Sequence, residues 1–163
     1  MTGTWVYSIP ALKHGGKTTE LVLGGWNFAG MALHQSGFAM SPGLATSTAG
    51  LATRPDQTSK YQRVGKLSEW FDPSSFNAPN YGFFGSASNG IIRGPAYSAI
   101  NASFYKTLSI SERLKAQLRV EAFNLMNHPN FEGVATSFGS ANFGQVTSAR
   151  DPRILEFAVK LFY

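Results

Sequence analysis

The feature that most constrains the fold is an alternation of apolar and polar residues with a period of two. In residues 113–124, one set of alternate positions is apolar, and the other set carries the charged and amide side chains. Several of these residues favour helices by intrinsic propensity. In a helix, however, Lys115 and Arg119 would lie close beside the apolar stripe. The period of two therefore predicts a strand over residues 113–126.

The same alternation recurs at the end of the chain, where it predicts a strand over residues 153–163. A third strand is predicted over residues 96–108, where Ile100, Ala102 and Phe104 share one face. Because only residues 109–112 separate it from the strand that follows, the two should form a hairpin. Two weaker strands are predicted at residues 4–9 and 25–38.

Long segments rich in glycine, serine and proline, residues 40–95 and 127–151, separate these strands. Charged residues make up only 14% of the chain and glycine reaches 17 residues, a composition that suits many strands joined by loops. Short and long connections alternate, which is typical of outer-membrane β-barrels. A soluble β-sandwich also alternates along its strands, so this pattern alone leaves both folds open.

Other classes find little support. The chain has no cysteine, and its net charge of +5 is not concentrated in a basic run, so we expect no disulfide framework and no nucleic-acid partner. No apolar stretch is long enough for a transmembrane helix. The first residues lack the pattern of a signal peptide, so we expect that any export signal lies in sequence outside this chain.

Catalytic and cofactor chemistry is not predicted either. Ala11–Thr18 fits a relaxed phosphate-binding loop, but the short glycine-bounded segment after it does not suit the required helix. The three histidines have no ligand spacing, and no serine lies in a nucleophile elbow. Glu121 and Glu156 are expected to pair with Arg119, Lys160 or water rather than to form an acid–base pair. We expect no catalytic, cofactor-binding or metal-ligating residue, and no enzyme.

Several motifs resemble, in the same order, the C-terminal end of Oar-like TonB-dependent outer-membrane receptors. They are G-G-W-N-F-A-G (Gly24–Gly30), Q-S-G (Gln35–Gly37), W-F-D-P-S-S-F (Trp70–Phe76), I-I-R-G-P (Ile91–Pro95), F-N-L-M-N-H-P-N-F (Phe123–Phe131) and F-G-Q-V-T-S-A-R-D-P-R (Phe143–Arg153). The resemblance covers nearly the whole chain, from about Trp5 to Tyr163. The usual last residue of the family is Phe, where this chain has Tyr163.

The resemblance implies an all-β, antiparallel, up-and-down transmembrane β-barrel segment of about five strands, with long extracellular loops, in the cell outer membrane. Because complete barrels of this family have roughly 22 strands, the chain is expected to be a C-terminal part of one. The implied function is barrel wall and outer loops for uptake of a large nutrient or for surface export. The implied partners are outer-membrane lipid, an N-terminal barrel and plug outside this chain, TonB through that plug, and the barrel-assembly machinery.

Three sets of residues are expected to carry this role. The resemblance implies a targeting strand, read by the assembly machinery, with alternate residues Leu155, Phe157, Val159, Leu161 and Tyr163. The alternation predicts Leu114, Leu118 and Val120 toward lipid and a polar lumen face formed by Arg113, Lys115, Arg119, Glu121, Glu156 and Lys160. A ligand surface on the long loop would use Trp70, Phe71, Phe76 and Tyr81; in the alternative function, a soluble β-sandwich binds a carbohydrate-like ligand with this aromatic loop, residues 70–84.

Overall fold

The computed structural model describes residues 1–10, 22–46 and 53–163 of the chain. The fold is all-β and is built around one antiparallel sheet of five long strands, which confirms the predicted fold class. In the described part of the chain, no helix is long and apolar enough to cross a membrane. The loop-like segment Ala11–Thr18 lies outside the described residues.

The described residues include fifteen strands and one turn of 3-10 helix. In chain order these are β1 (Thr2–Ser8), β2 (Trp26–Gln35), β3 (Ala39–Met40), β4 (Gly43–Leu44), β5 (Asp56–Gln57), β6 (Arg63–Lys66), β7 (Glu69–Phe71), the 3-10 turn (Pro73–Ser75), β8 (Phe76–Asn77), β9 (Ile92–Arg93), β10 (Tyr97–Ser109), β11 (Lys115–Phe123), β12 (Phe131–Val134), β13 (Ser137–Phe138), β14 (Val146–Ala149) and β15 (Ile154–Phe162).

The five long strands lie in the order β1-β2-β10-β11-β15, so each strand neighbours the next long strand along the chain. β10 and β11 form the expected hairpin, with Ser109 opposite Lys115 and Ala102 opposite Ala122. Its connection covers residues 110–114 rather than 109–112, because the backbone amides of Ile110 and Ser111 both donate to the Leu114 carbonyl, at 2.9 and 3.0 Å. β15 adds to the other side of β11, with Leu118 opposite Val159.

β1 and β2 are held together by a close approach as well as by their ladder. Trp5 lies opposite Gly30 in the register. The indole covers the glycine so closely that a Cβ on Gly30 would come within 2.3 Å of Trp5 Cζ2. Glycine is therefore required at this strand position because a side chain would displace the ring.

The segments between the long strands form a second compact unit, made of residues 36–97 and 130–150. Its strands are short and pair two by two: β3 with β9, β4 with β13, β5 with β8, β6 with β7, and β12 with β14. Its core comprises the buried side chains of Trp70, Phe71, Phe76, Ala87, Ile92 and Val134. The rings of Phe71, Phe76 and Phe143 meet edge to face, at centroid distances of 5.1 to 5.8 Å, a favourable geometry for aromatic pairs.

We call this second unit the loop unit. The sequence predicts long loops here, whereas the structure shows short strands and a core. Strands of two to four residues are too short to show a period in the sequence. The core instead brings together side chains that lie far apart along the chain, such as Phe71 and Val134. The long segments are therefore folded. Periodicity in the sequence predicts only the long strands of the sheet.

Candidate functional site

One face of the sheet is apolar and exposed. Residues that are directly opposite in antiparallel strands project to the same side, so the pairs Leu118–Val159 and Val120–Phe157 share one face. Leu118, Val159 and Phe157 have 39%, 67% and 78% of their surfaces exposed. Soluble monomers rarely leave a large apolar patch of this kind uncovered, so this face is the first candidate for a functional surface.

The apolar face continues through Phe104 on β10 to Trp26 on β2, whose rings stack at 4.4 Å with an interplanar angle of 7°. Lys106 is two residues from Phe104 along β10 and is the charged member of this row. Its side chain is only 6% exposed, and its ammonium group donates to the Gly24 carbonyl and lies 5.8 Å from the Trp26 ring centroid. The charge is therefore turned away from the exposed apolar surface.

The opposite face of β10, β11 and β15 is polar. Arg119 donates to Glu121 at 3.2 Å and to the Gln117 side chain at 3.1 Å, and its guanidinium lies 5.3 Å from the Tyr105 ring centroid. Gln117 in turn donates to Thr107 of β10 at 3.3 Å. Arg119 and Glu121 remain partly exposed, so this ion pair contributes little to stability. Its consequence is a continuous polar stripe along β11.

Two carboxylates meet on this polar face, because Glu121 lies directly opposite Glu156 of β15. Like charges in this position destabilise a strand pair, and the guanidinium of Arg119 partly offsets the repulsion. Lys160 is also on this face, opposite Gln117, with its ammonium group 5.0 Å from the Phe162 ring centroid. The predicted polar residues Arg119, Glu121, Glu156 and Lys160 are therefore brought to one face, as is Lys115 at the start of β11.

Two predicted face positions lie outside the strand. Arg113 and Leu114 precede β11, which starts at Lys115. In the turn, the Leu114 carbonyl accepts from the backbone amides of Ile110 and Ser111, and the Leu114 amide donates to Ser111 Oγ at 3.2 Å. The prediction that Arg113 faces the lumen and Leu114 faces lipid needs correction, because both residues lie in the turn, where the alternation of strand faces has ended. Leu155, Phe157, Val159 and Leu161 do share one exposed face of β15, and Tyr163 follows its last residue.

A hydroxyl on the polar face lacks a partner. Ser103 lies opposite Glu121, and its Oγ is buried without a hydrogen bond in the part of the chain that the structure describes. It lines a cavity of about 280 Å³ together with Thr4, Met31, Asn101 and Phe123. Among the described residues, no group of three or more acidic, histidine or cysteine side chains is placed to hold a metal ion.

The aromatic surface predicted on the long loop is mostly interior. Trp70, Phe71 and Phe76 are 5%, 0% and 1% exposed, and the Trp70 indole donates to the Arg93 carbonyl at 2.7 Å. The prediction that these three contribute an outer ligand surface is corrected: they form the core of the loop unit. Tyr81 is 85% exposed, and its neighbours Phe83 and Phe84, which also lie in the predicted aromatic loop, are 67% and 72% exposed.

Comparison with known proteins agrees with the two-faced sheet. A family model described as an outer membrane beta barrel domain matches residues 1–156. Neither the curated proteins nor the solved structures gave a match to the chain. The exposed apolar face, the polar face behind it and the match over nearly the whole length lead to one conclusion: the chain belongs to the outer membrane beta barrel domain family and is a protein of the cell outer membrane.

Proposed function

We propose that the five-stranded sheet is part of the wall of an Oar-like TonB-dependent receptor, which takes up a large nutrient or exports material to the surface. The observation that carries the proposal is the pairing of an exposed apolar face with a charged face on the same three strands, β10, β11 and β15. In such a wall the apolar face lies against lipid and the charged face lines the lumen.

Transfer energies support this orientation. An Arg or Lys on the lipid side of a barrel costs about 2–4 kcal/mol at the bilayer midplane and about 0–1 kcal/mol near the interface. The inverted orientation would place Arg119, Glu121 and Lys160 in hydrocarbon while exposing Val159 and Phe157 to water. Lys106, the lysine on the apolar face, is buried against Gly24 and Trp26, so it does not oppose the assignment.

The soluble sandwich, the alternative function, requires a second layer over the apolar face. Phe157 and Val159 are 78% and 67% exposed, and the side chains of Leu155 and Leu161 on the same face are more than half exposed. A sandwich buries this face in its core. Lipid replaces the second layer without any further protein, and this favours the barrel wall.

The partners follow from the strand edges. β1 and β15 each have a neighbour on one side only in the described sheet, and an unpaired edge is not tolerated in lipid. We therefore assign the pairing of these edges to the remainder of a barrel, which would also supply a plug that contacts TonB. The assembly machinery would recognise β15. The proposed role includes no catalytic step, and none of its contacts involves nucleic acid.

The test is capture by TonB. The complete protein that carries this chain, extracted from outer membranes in detergent, should bind the immobilised periplasmic domain of TonB. An unrelated outer-membrane porin purified in the same way serves as the control and should not be retained. A protein that fractionates with the outer membrane but is not captured would leave the barrel wall in place and remove its assignment to the TonB-dependent class.

A further inference from the structure

The loop unit carries a cluster of exposed rings within a long uncharged stretch. No charged residue occurs from Pro73 to Ile92. Within this stretch Tyr81, Phe83 and Phe84, which we call the aromatic tip, are 85%, 67% and 72% exposed. The other large rings of the stretch and its flanks, Trp70, Phe71 and Phe76, are buried. The exposed rings of the tip therefore belong to a folded segment, whose other large rings form a core.

The backbone next to the tip, at residues 85–87, is fixed by close packing and hydrogen bonds to residues 54–56. A Cβ on Gly85 would lie 1.9 Å from the Arg54 carbonyl oxygen, so the chain passes directly against residue 54. The Ser86 amide donates to Asp56 Oδ1 at 2.8 Å, and the Ala87 amide donates to the Pro55 carbonyl at 3.1 Å. A ligand would thus meet rings whose attachment is already ordered, which lowers the entropic cost of binding.

The two charged side chains near this segment, Arg54 and Asp56, form hydrogen bonds within the loop unit. Asp56 accepts from Ser86, while Arg54 donates to the Ala87 carbonyl at 3.0 Å and to the Asn89 side chain at 3.1 Å. By contrast, among the described residues the exposed side chains of Asn77, Asn80 and Ser88 take part in no hydrogen bond. The uncharged stretch that carries the tip thus also contains exposed amide and hydroxyl groups that are available for hydrogen bonds.

This combination selects a class of ligand. Rings with amides and hydroxyls suit a molecule that has both C–H faces and many hydroxyl groups. Anionic ligands and anionic membrane surfaces are instead recognised through Lys and Arg, which the stretch lacks. A purely apolar protein patch would bury the amides of Asn77 and Asn80 without partners, at a cost.

We propose that the aromatic tip binds a neutral oligosaccharide, by stacking of Tyr81, Phe83 and Phe84 on sugar rings and by hydrogen bonds from Asn77, Asn80 and Ser88. The inference rests on the proposed function to the extent that it names the ligand class of a receptor whose loop unit meets the external medium. The binding itself depends only on the loop unit.

The experiment is calorimetric titration of the complete protein with neutral hexasaccharides, namely cello-, malto- and xylohexaose, and with an acidic oligogalacturonide. A zwitterionic detergent is required because the head groups of sugar-based detergents would compete. We expect binding of at least one neutral hexasaccharide. Tyr81→Ala and Phe84→Ala should each weaken this binding by about two- to tenfold, the range expected for loss of one stacked ring, and Tyr81→Phe should retain most of it.

Phe38→Ala is the matched control, because Phe38 is a 64% exposed ring in the same unit but away from the tip in sequence. Binding unchanged in this variant supports the assignment. Absence of binding to all neutral hexasaccharides, an equal loss in Phe38→Ala, preferential binding of the acidic sugar, or tip-dependent binding to phospholipid vesicles would each overturn it. Because TonB capture is measured separately, failure of sugar binding is distinguishable from failure of the receptor assignment.

Discussion

The sheet and the core of the loop unit place phenylalanine in opposite environments. Phe157 on the sheet is 78% exposed, whereas Phe71 in the loop unit is fully buried against Phe76 and Phe143. The core of the loop unit thus follows the ordinary rule of a soluble domain, with apolar rings inside. The sheet keeps its apolar side outside, which is stable only where lipid covers it. One chain can thus contain a unit that is folded for water and a sheet that is folded for lipid.

The largest expected effect concerns the buried ring. Phe71→Ala should lower the unfolding free energy of the loop unit by about 3–5 kcal/mol, because it removes a large core side chain and leaves a cavity. Phe157→Ala on the sheet should leave the loop unit unchanged. Hydrogen exchange of the loop-unit amides, measured for the protein in detergent, gives the comparison. Equal destabilisation of the loop unit by both variants would remove the contrast between the two environments.

The next effect concerns the two faces of β11. Leu118→Arg should reduce the folded yield in lipid by the equivalent of about 2–4 kcal/mol, whereas Arg119→Leu should fold nearly normally. Leu161→Arg, which lies nearer the hairpin end of the sheet, should cost less. Folded yield is measured from protease-resistant protein in bilayers. If Arg119→Leu is the more damaging change of the adjacent pair, the assignment of the faces is inverted.

A smaller effect is expected within the sheet, where Trp5 covers Gly30. Gly30→Ala should destabilise by about 1–3 kcal/mol, the usual cost of overpacking, because its Cβ would come within 2.3 Å of the indole. Gly3→Ala is the matched control, since it lies on the paired strand and has nothing within 4 Å of an added Cβ. Equilibrium unfolding in lipid would compare them, and equal stability of the two variants would contradict the close packing.

The smallest effect should occur at Ser103. Its buried hydroxyl makes no hydrogen bond among the described residues, so Ser103→Ala removes an uncompensated polar group and should be neutral or slightly stabilising, within about 1 kcal/mol. Thr107→Ala is a suitable comparison, because Thr107 accepts from Gln117 at 3.3 Å on the same face. A clear loss of stability in Ser103→Ala alone would mean that the hydroxyl has a partner in the membrane.

The sheet can be predicted from the sequence because the information that specifies its strands is local. The alternation around Leu118 and Arg119 specifies both a strand and its two faces, and a short connection specifies the hairpin with β10. The turn at Arg113 and Leu114 is not visible in the sequence, because the alternation of apolar and polar residues continues through both positions. Only the hydrogen bonds to the Leu114 carbonyl show that the strand begins after them. The burial of Lys106 was also not visible, because its partner Gly24 is distant along the chain.

The loop unit could not be predicted in the same way. Its ladders, such as Asp56–Gln57 with Phe76–Asn77, contain two residues on each side, too few to display a period. An aromatic residue suits a core and a binding surface equally well, so Trp70 and Tyr81 look alike in sequence although one is buried and the other exposed. Only the tertiary contacts separate them.

Two adjacent labels on β15 would report directly which face of the sheet meets lipid. This chain contains no cysteine, so Val159→Cys and Lys160→Cys each give one site for an environment-sensitive fluorophore in the complete protein, reconstituted into bilayers after replacement of any cysteine outside this chain. Nitroxide groups on lipid tails should quench the label at position 159, and aqueous iodide should quench the label at position 160. Quenching of both labels by the same agent, or the reverse assignment, would contradict a sheet with one face in lipid and the other in the lumen.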